Sequence, residues 1–523
     1  MANLAVDRRM RLVTAEEMRT LDRLTIEGGT PGHVLMERAG EGATRVLLEC
    51  IPRLRKRGSR ALVVAGKGNN GGDGWVIARL LKRRGVQVEV ALVGRVAEVA
   101  GDALRNLRAY RKLSGKLFGV GDEAGLARLA KAASAADAVV DALFGTGLNN
   151  PVHGLPAAVI EIVNTCGAPV LAVDIPSGLD ADSGRPLGAA VQAEATATFG
   201  FAKLGQVQHP GVRHCGALAV VDIGLADAAL AAAPPRAALI ETAAAARLVP
   251  RREPETHKGD CGHVLIIAGS LGHTGAAQLA TRAAGRAGAG LVTVVAPASL
   301  YPVYAAGVRE AMTAQLADTD GRIRFDAGAL AALTAGKAVV VIGPGIGTHD
   351  DAGRTVRWLL EHGEQALVLD ADALTVLARD PTPLRAAGGR CVLTPHPGEM
   401  ARLIGADTAT VQADRVGVAR SFAVAYGCTL VLKGARTVIA GADGFVWINP
   451  TGNPGMASGG MGDVLAGAIG GLLAQGLPPA DATCLGVHVH GLAADRAAAD
   501  GEIGLLAGDV ADALRPALGT LAV

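Results

Sequence analysis

The sequence predicts an α/β protein of two domains, on three observations. The chain has 523 residues, more than one ordinary hydrophobic core accommodates. Half of these are hydrophobic, yet only 3% are aromatic and 71 are glycine, a balance that suits short buried strands and closely packed helices. Short apolar runs also end repeatedly in Gly- or Asp-rich loops that lead into helical patterns. That order predicts a parallel sheet with ligands at the carboxyl ends of its strands.

Residues 60–65 read as the first such strand, 66–74 as its loop and 75–81 as the helix after it, with further strands at 86–93, 138–144 and 170–175. The pattern breaks near 225–255, where 226–235 and 249–255 read as a linker and a short entry helix. The expected domains therefore span 1–226 and 236–523. A second series of strands runs through 263–268, 338–342, 366–370, 391–394 and 430–433.

Lys+Arg 51 against Asp+Glu 49 leaves a formal charge of +2, and no basic stripe with interleaved aromatics occurs, which argues against nucleic acid as a partner. Seven cysteines lie scattered without a Cys-x-x-Cys pair, pointing to a reducing compartment rather than to disulfides or zinc. The N-terminus lacks a signal-peptide core and no apolar run of about 18 residues escapes charge, so a cytoplasmic protein without a membrane span is expected.

The densest motif is Asn453-Pro-Gly-Met-Ala-Ser-Gly-Gly-Met-Gly-Asp463, followed by the helical pattern 464–473. Gly459, Gly460 and Gly462 allow backbone N–H groups to gather at a helix N-terminus, where the dipole favours an anion. Asp463 is then a carboxylate in a phosphate cradle. The task that suits it is taking a proton from a hydroxyl that attacks a phosphoryl group. Alone, the motif reads more readily as a glycine-rich turn with Asp463 as a helix cap. Other strand-end loops tip the balance: 269–277, 343–347, Asp370-Ala-Asp372, His396-Pro-Gly-Glu399 and 433–437 gather around it.

In the first half, the loop Asn69-Asn-Gly-Gly-Asp-Gly74 can cradle a diphosphate, and its amide oxygens suit a weakly held monovalent cation. Asp141 with Gly145-Thr-Gly147, and Asp174-Ile-Pro-Ser-Gly178, end two further strands, so three loops converge on one pocket. Together with Glu16-Glu-Met-Arg-Thr-Leu-Asp22 and Leu35-Met-Glu-Arg-Ala-Gly40, these motifs resemble the NAD(P)H-hydrate epimerases over roughly residues 10–225. The resemblance implies a Rossmann-like three-layer domain. It implies that the hydrated dinucleotide is bound by Asn69, Asn70, Gly71, Gly72 and Asp73, by Gly145, Thr146, Gly147, Leu148, Asn149, Asn150 and Pro151, and by Asp174. Potassium is implied near Asn70, Asp141 and Ser177.

In the hydrate, water has added across C5=C6 of the dihydronicotinamide, leaving a hydroxyl on C6 beside the ring nitrogen. That hydroxyl can depart with help from the nitrogen lone pair once an acid protonates it, and water can return to the opposite face. Asp174 is the candidate acid/base, with Asp73 or Asp141 as second choice. Lys203 is a further residue facing the site, with no chemistry assigned to it.

The second set of motifs resembles the ADP/ATP-dependent NAD(P)H-hydrate dehydratases of the ribokinase-like superfamily, over roughly residues 240–523. It implies that Lys433, Gly434, Ala435, Arg436, Thr437 and Gly462 contact the nucleotide, and that Ala276, Gly345, Gly347, His396 and Asp463 contact the hydrate. Glu399 with the phosphates is the implied magnesium site. The whole resembles a bifunctional NAD(P)H-hydrate repair enzyme, expected as a homo-oligomer, that epimerises the hydrates and dehydrates the S form as ADP becomes AMP and phosphate. A small-molecule kinase of the ribokinase class with an accessory domain is the alternative, and it would leave phosphate on its product. A pure binding module is disfavoured by the retained Asp73, Asp141 and Asp174.

Overall fold

The computed structural model describes residues 8–387 and 389–522. Contacts divide the chain into two compact units, Asp7–Ala237 and one that includes Ala238–Val523.

The first unit holds a seven-stranded parallel sheet. Its order is Lys116–Val120, Gln87–Val93, Arg60–Ala65, Ala138–Ala142, Val170–Val173, Ala195–Phe199 and Ala217–Val221. From Arg60–Ala65 the chain winds outward one way and from Ala138–Ala142 the other. The loops after these two central strands must part, and their carboxyl ends frame a crevice. Helices cover both faces, over cores that include Val63, Ile77 and Val140 on one side and Leu62, Val139 and Ile160 on the other.

One expected loop is a helix. Asn69–Arg83 is helical from Asn69 onward, so Asn69 to Gly74 form its opening turns rather than a loop before it. The glycines there supply closeness, not unusual φ angles: none of 71, 72 and 74 has positive φ. A Cβ on Gly71 would collide with the Gly66 carbonyl, and one on Gly72 would lie 2.6 Å from Met36 Cε. A loop reading treats glycine as a turn former, whereas here it lets a helix start against the preceding strand.

In the second unit the sheet runs Met312–Leu316, Leu291–Pro297, His263–Ile267, Val339–Ile342, Ala366–Leu369, Cys391–Leu393 and Thr429–Leu432. These strands are parallel, and Val438–Ala440 and Val446–Ile448 continue the sheet antiparallel. Winding reverses between His263–Ile267 and Val339–Ile342, which again places a crevice at their carboxyl ends. Helix Met461–Ala474 is buried on nearly every side; Gly467 lets it press on helix Thr274–Arg286, where a Cβ would strike the Ala280 carbonyl. The stretch 226–235 read as linker contains a short helix, Asp227–Ala232, and just beyond it Ala237–Leu239 is a strand, where Ile240 N donates to the Ile448 carbonyl at 2.9 Å and Ala238 and Ile240 are buried. Of the alanines in 226–235, Ala229 is buried whereas Ala228, Ala231 and Ala232 are exposed, a division that composition alone does not reveal.

All seven cysteines are free thiols. Cys50 is exposed and Cys166 half-buried; burial pushes the thiols of Cys215, Cys391 and Cys428 up to about 12.

Candidate active sites

In the first unit, the crevice at the winding reversal opens into a cavity of about 880 Å³. Asn69, Asn70 and Asp73 reach it from the helix start, Gly145 to Leu148 from the loop after Ala138–Ala142, and Asp174 from the end of Val170–Val173. Asn149, Asn150 and Pro151 lie outside its lining, and Gly71 and Gly72 are buried in the helix.

Asp174 sits at a positive φ of 65°, a costly conformation for a residue with a Cβ, and its Oδ1 accepts from the Phe199 amide at 3.2 Å. Lys203, with no exposed side-chain surface, donates to the same oxygen and to Thr198 Oγ1 at 2.9 Å and the Phe199 carbonyl at 3.1 Å. All three donor positions of the ammonium are thus taken. Gln206 Nε2 donates to the Asp174 carbonyl at 2.7 Å and fixes the backbone. The structure gives Lys203 a role that sequence reading left blank: it holds Asp174 in place and compensates its charge.

Asp73 is nearly buried. Desolvation, reinforced by the charges of Asp174 and Asp22, lifts its pKa well above the usual carboxylate value. Asp22 lines the same cavity from helix Ala15–Glu27, and burial raises it to about 6, against the opposing effect of Lys203. Sequence reading missed it as a site residue. A signal existed: Met18, Leu21 and Thr25 form the buried stripe of that helix, and Asp22 lies on the same face as Met18, where a carboxylate is out of place.

Asp141 does not line the cavity. It is 1% exposed, its Oδ1 accepts from Ser177 Oγ at 2.6 Å and its Oδ2 from Ser177 N at 2.8 Å. Burial raises its pKa to about 6 despite these bonds. Its place behind Ser177 and outside the cavity lining does not favour Asp141 as the second-choice acid/base. Asn70 Nδ2 donates to the Phe144 carbonyl at 2.9 Å, leaving buried Asn70 Oδ1 without a hydrogen-bond partner. An orphaned amide oxygen beside Ser177 Oγ, the Phe144 carbonyl and a buried carboxylate matches the neutral and anionic oxygen donors that a potassium ion requires.

In the second unit, Gly460 takes a positive φ of 88° as the N-cap of helix Met461–Ala474, placing Asp463 in the first turn. Lys433 Nζ donates to Asp370 Oδ1 at 2.6 Å and lies 3.8 Å from Glu399 Oε2; Thr394 Oγ1 also donates to Asp370 Oδ1, at 2.7 Å. Burial opposes the Lys433 charge, but Asp370 and Glu399 hold its pKa above the ordinary value. Gly462 abuts this pair, since a Cβ there would stand 3.3 Å from Lys433 Nζ. Asp463 is raised to about 6, chiefly by burial and by Asp370, with Lys433 opposing. The helix N-terminus, a paired lysine and a carboxylate poised near neutrality thus meet at one point.

The other residues assemble around it. Gly345 packs so closely on the 269–277 loop that a Cβ would be 2.8 Å from His273 Cβ and 3.4 Å from Ala276 Cβ. Gly347 N donates to Asp372 Oδ2 at 2.9 Å. His396 caps helix Pro397–Ile404: its Nδ1 accepts from Gly398 N at 3.0 Å, and Glu399 Oε2 accepts from His396 N at 2.7 Å. Arg415, which sequence reading also missed, donates to the carbonyls of Leu432 at 2.9 Å and Lys433 at 3.3 Å and so fixes the segment that carries Gly434 to Thr437. A smaller cavity of about 400 Å³, between helices Asp350–His362 and Asp372–Leu377, contains none of these residues.

Comparison with known proteins follows the same division. The family described as YjeF-related protein N-terminus matches residues 32–205, and the family described as NAD(P)H-hydrate dehydratase matches residues 264–516. The chain is 46% identical to the bifunctional NAD(P)H-hydrate repair enzyme Nnr of Moorella thermoacetica, over 97% of this chain and 96% of that one. It is 39% identical to the enzyme of the same name from Coxiella burnetii, over 95% and 97%. Among solved structures, it is similar to the ADP/ATP-dependent NAD(P)H-hydrate dehydratase of Bacillus subtilis co-crystallised with ATP and magnesium. There the identity is 29% over 54% of this chain and 98% of that one, with a TM-score of 0.47.

Proposed function

The chain belongs to the family of bifunctional NAD(P)H-hydrate repair enzymes, and we propose from that premise how its two sites divide the work. The first unit interconverts the R and S epimers of hydrated NADH and NADPH. The second dehydrates the S epimer with ADP as phosphoryl donor, and the units correspond to domains divided near 226–236.

Asp463 carries the reading of the second site. Its carboxylate takes the proton of the C6 hydroxyl, and the resulting alkoxide attacks the terminal phosphorus of ADP as AMP departs. Phosphate then leaves C6 while C5 loses a proton, restoring the C5=C6 bond. The amides at the start of helix Met461–Ala474 and the Lys433 ammonium face the phosphates, and Asp370 keeps that ammonium aimed. Lys433 to Thr437 and Gly462 hold the nucleotide; Ala276, Gly345, Gly347 and His396 hold the hydrate. Among the described residues no group of three or more His, Cys, Asp or Glu could hold a metal. That suits magnesium carried in on the phosphates with its waters, with Glu399 nearby, where it would neutralise charge on the transferring group.

In the first site Asp174 exchanges protons with the C6 hydroxyl, and Asn69 to Asp73 with Gly145 to Leu148 hold the dinucleotide. Potassium at Asn70, Asp141 and Ser177 would offset the repulsion between Asp141 and the diphosphate. Among the described residues no helix is long and apolar enough to cross a membrane. A cytoplasmic homo-oligomer completes the proposal, and sedimentation tests the assembly.

The deciding experiment incubates the protein with a mixture of R- and S-hydrated NADH, with and without ADP and magnesium, while absorbance of the reduced nicotinamide is followed. Full recovery of absorbance, with phosphate release and only when nucleotide is present, supports the reading. A phosphorylated product without recovered absorbance would instead favour the kinase.

A further inference from the structure

We propose that Asp22 is a second acid/base of the first site, serving one face of the nicotinamide ring while Asp174 serves the other. The inference rests on the epimerase reading above and deepens it.

Epimerisation at C6 sends a hydroxyl out through one face of the ring and brings one in through the other. A single carboxyl on one side cannot reach both oxygens in one bound orientation. Five carboxyls line the cavity, Asp22, Asp73, Glu98, Asp102 and Asp174, and the two with the most contrasting surroundings stand on independent elements, Asp174 at a strand end and Asp22 on helix Ala15–Glu27. Asp174 is anchored by Lys203 and the Phe199 amide, whereas Asp22 Oδ1 is buried with no hydrogen-bond partner at all. A buried carboxyl oxygen without a partner is expensive as a carboxylate, which favours the protonated acid on a residue that also lines the cavity. The charged groups that act on Asp22 are Lys203 and Asp174, with Asp73 coupled to it; Arg19, Lys67, Glu98 and Asp102 line the same cavity.

The step balances as follows. Asp22, protonated, gives its proton to the C6 hydroxyl; the C6–O bond breaks, water leaves, and the N1 lone pair forms a C6=N1 iminium. Water adds to the opposite face of C6, the electron pair returns to N1, and the Asp174 carboxylate accepts the surplus proton. The reverse epimerisation exchanges the two roles. A turnover in one direction therefore leaves the carboxyls set for the other, and bound water carries the proton back.

The test uses the full-length protein with R/S-hydrated NADH, ADP and magnesium, comparing wild type, Asp22→Asn and Asp22→Glu. In wild type both epimers are consumed. Asp22→Asn should consume S at the wild-type rate and keep the wild-type thermal transition of both units, read by circular dichroism, while R consumption falls at least about 10²-fold. Asp22→Glu should recover part of that loss. Without ADP, so that Asp463 takes no part, R-to-S conversion in wild type should decline as pH rises through about 6, where the acid form of Asp22 is lost, and Asp22→Asn should lack this decline. Wild-type R consumption in Asp22→Asn, or an unchanged pH profile, overturns the inference while leaving the epimerase reading intact. Failure of the wild-type protein itself to consume R faster than spontaneous epimerisation overturns the reading and the inference together.

Discussion

Each unit buries a lysine against an aspartate at the end of a parallel strand, yet the two pairs are turned opposite ways. In the first, Lys203 is wholly enclosed and Asp174 is 15% exposed, so the carboxylate faces the cavity and the lysine stands behind it. In the second, Asp370 is 1% exposed and Lys433 20%, so the ammonium faces outward and the carboxylate supports it. One arrangement presents a fixed proton acceptor, as addition and removal of water requires. The other presents a fixed positive charge, as a phosphoryl group requires, with Asp463 as the proposed base beside it. The same ion pair serves two chemistries according to which partner is exposed.

Removing the exposed functional group tests this contrast most severely. Asp463→Asn should lower dehydration of the S hydrate by at least about 10²-fold and leave epimerisation unchanged, as read from separate progress curves for each epimer. Comparable loss in both activities would show that the two sites are not independent.

Replacing each lysine comes next. Lys203→Met leaves Asp174 without its counter-charge and should abolish most epimerisation; removing one partner of a buried pair typically costs about 3–5 kcal/mol, visible as a lowered Tm. Lys433→Met should raise the KM for ADP and, because it strands the more deeply buried Asp370, should lower Tm at least as much as Lys203→Met does. Equal effects on nucleotide affinity would erase the distinction between the pairs.

A pH series sharpens it further. With Asp463 as the proposed base and its pKa raised to about 6, kcat/KM for dehydration should fall about tenfold for each pH unit below that value and level off above it. Epimerisation should follow a different curve, measurable on the same preparation. Exchanging potassium for a bulky organic cation at constant ionic strength should weaken epimerisation or hydrate affinity and spare dehydration. The smallest effect concerns the threonines behind each pair. Thr394→Val removes a donor from fully buried Asp370 and should cost about 1.5–3 kcal/mol, whereas Thr198→Val leaves Lys203 two other acceptors and should cost about 1 kcal/mol, by denaturant titration.

Strands and strand-end loops were legible because alternation between apolar runs and glycine-rich loops is local. Arg60–Ala65 and His263–Ile267 follow directly from such runs. Asp463 stood out as well, since a carboxylate among glycines at a helix start is a local conflict, and the structure puts it in the first turn of helix Met461–Ala474. The rest depends on pairing between distant segments. Asp141 read as a cavity residue because its strand-end position is right, but Ser177, 36 residues later, turns it inward. Asp22 lies in the middle of helix Ala15–Glu27 rather than in a glycine-rich loop, so only its place on a buried face could mark it. Asn69 read as loop because glycine permits turns and close approach equally, and only the neighbouring strand decides between them.

The buried thiols have a practical consequence. At neutral pH a thiol with a pKa near 12 is almost never a thiolate, so alkylating probes will pass over Cys215, Cys391 and Cys428 while the protein stays folded. Exposed Cys50 and, more slowly, half-buried Cys166 are the reactive positions, and neither lines the 880 Å³ cavity. A fluorophore on Cys50 would therefore report on the first unit without occupying its site, and the uptake of label by the remaining cysteines would serve as a clock for unfolding.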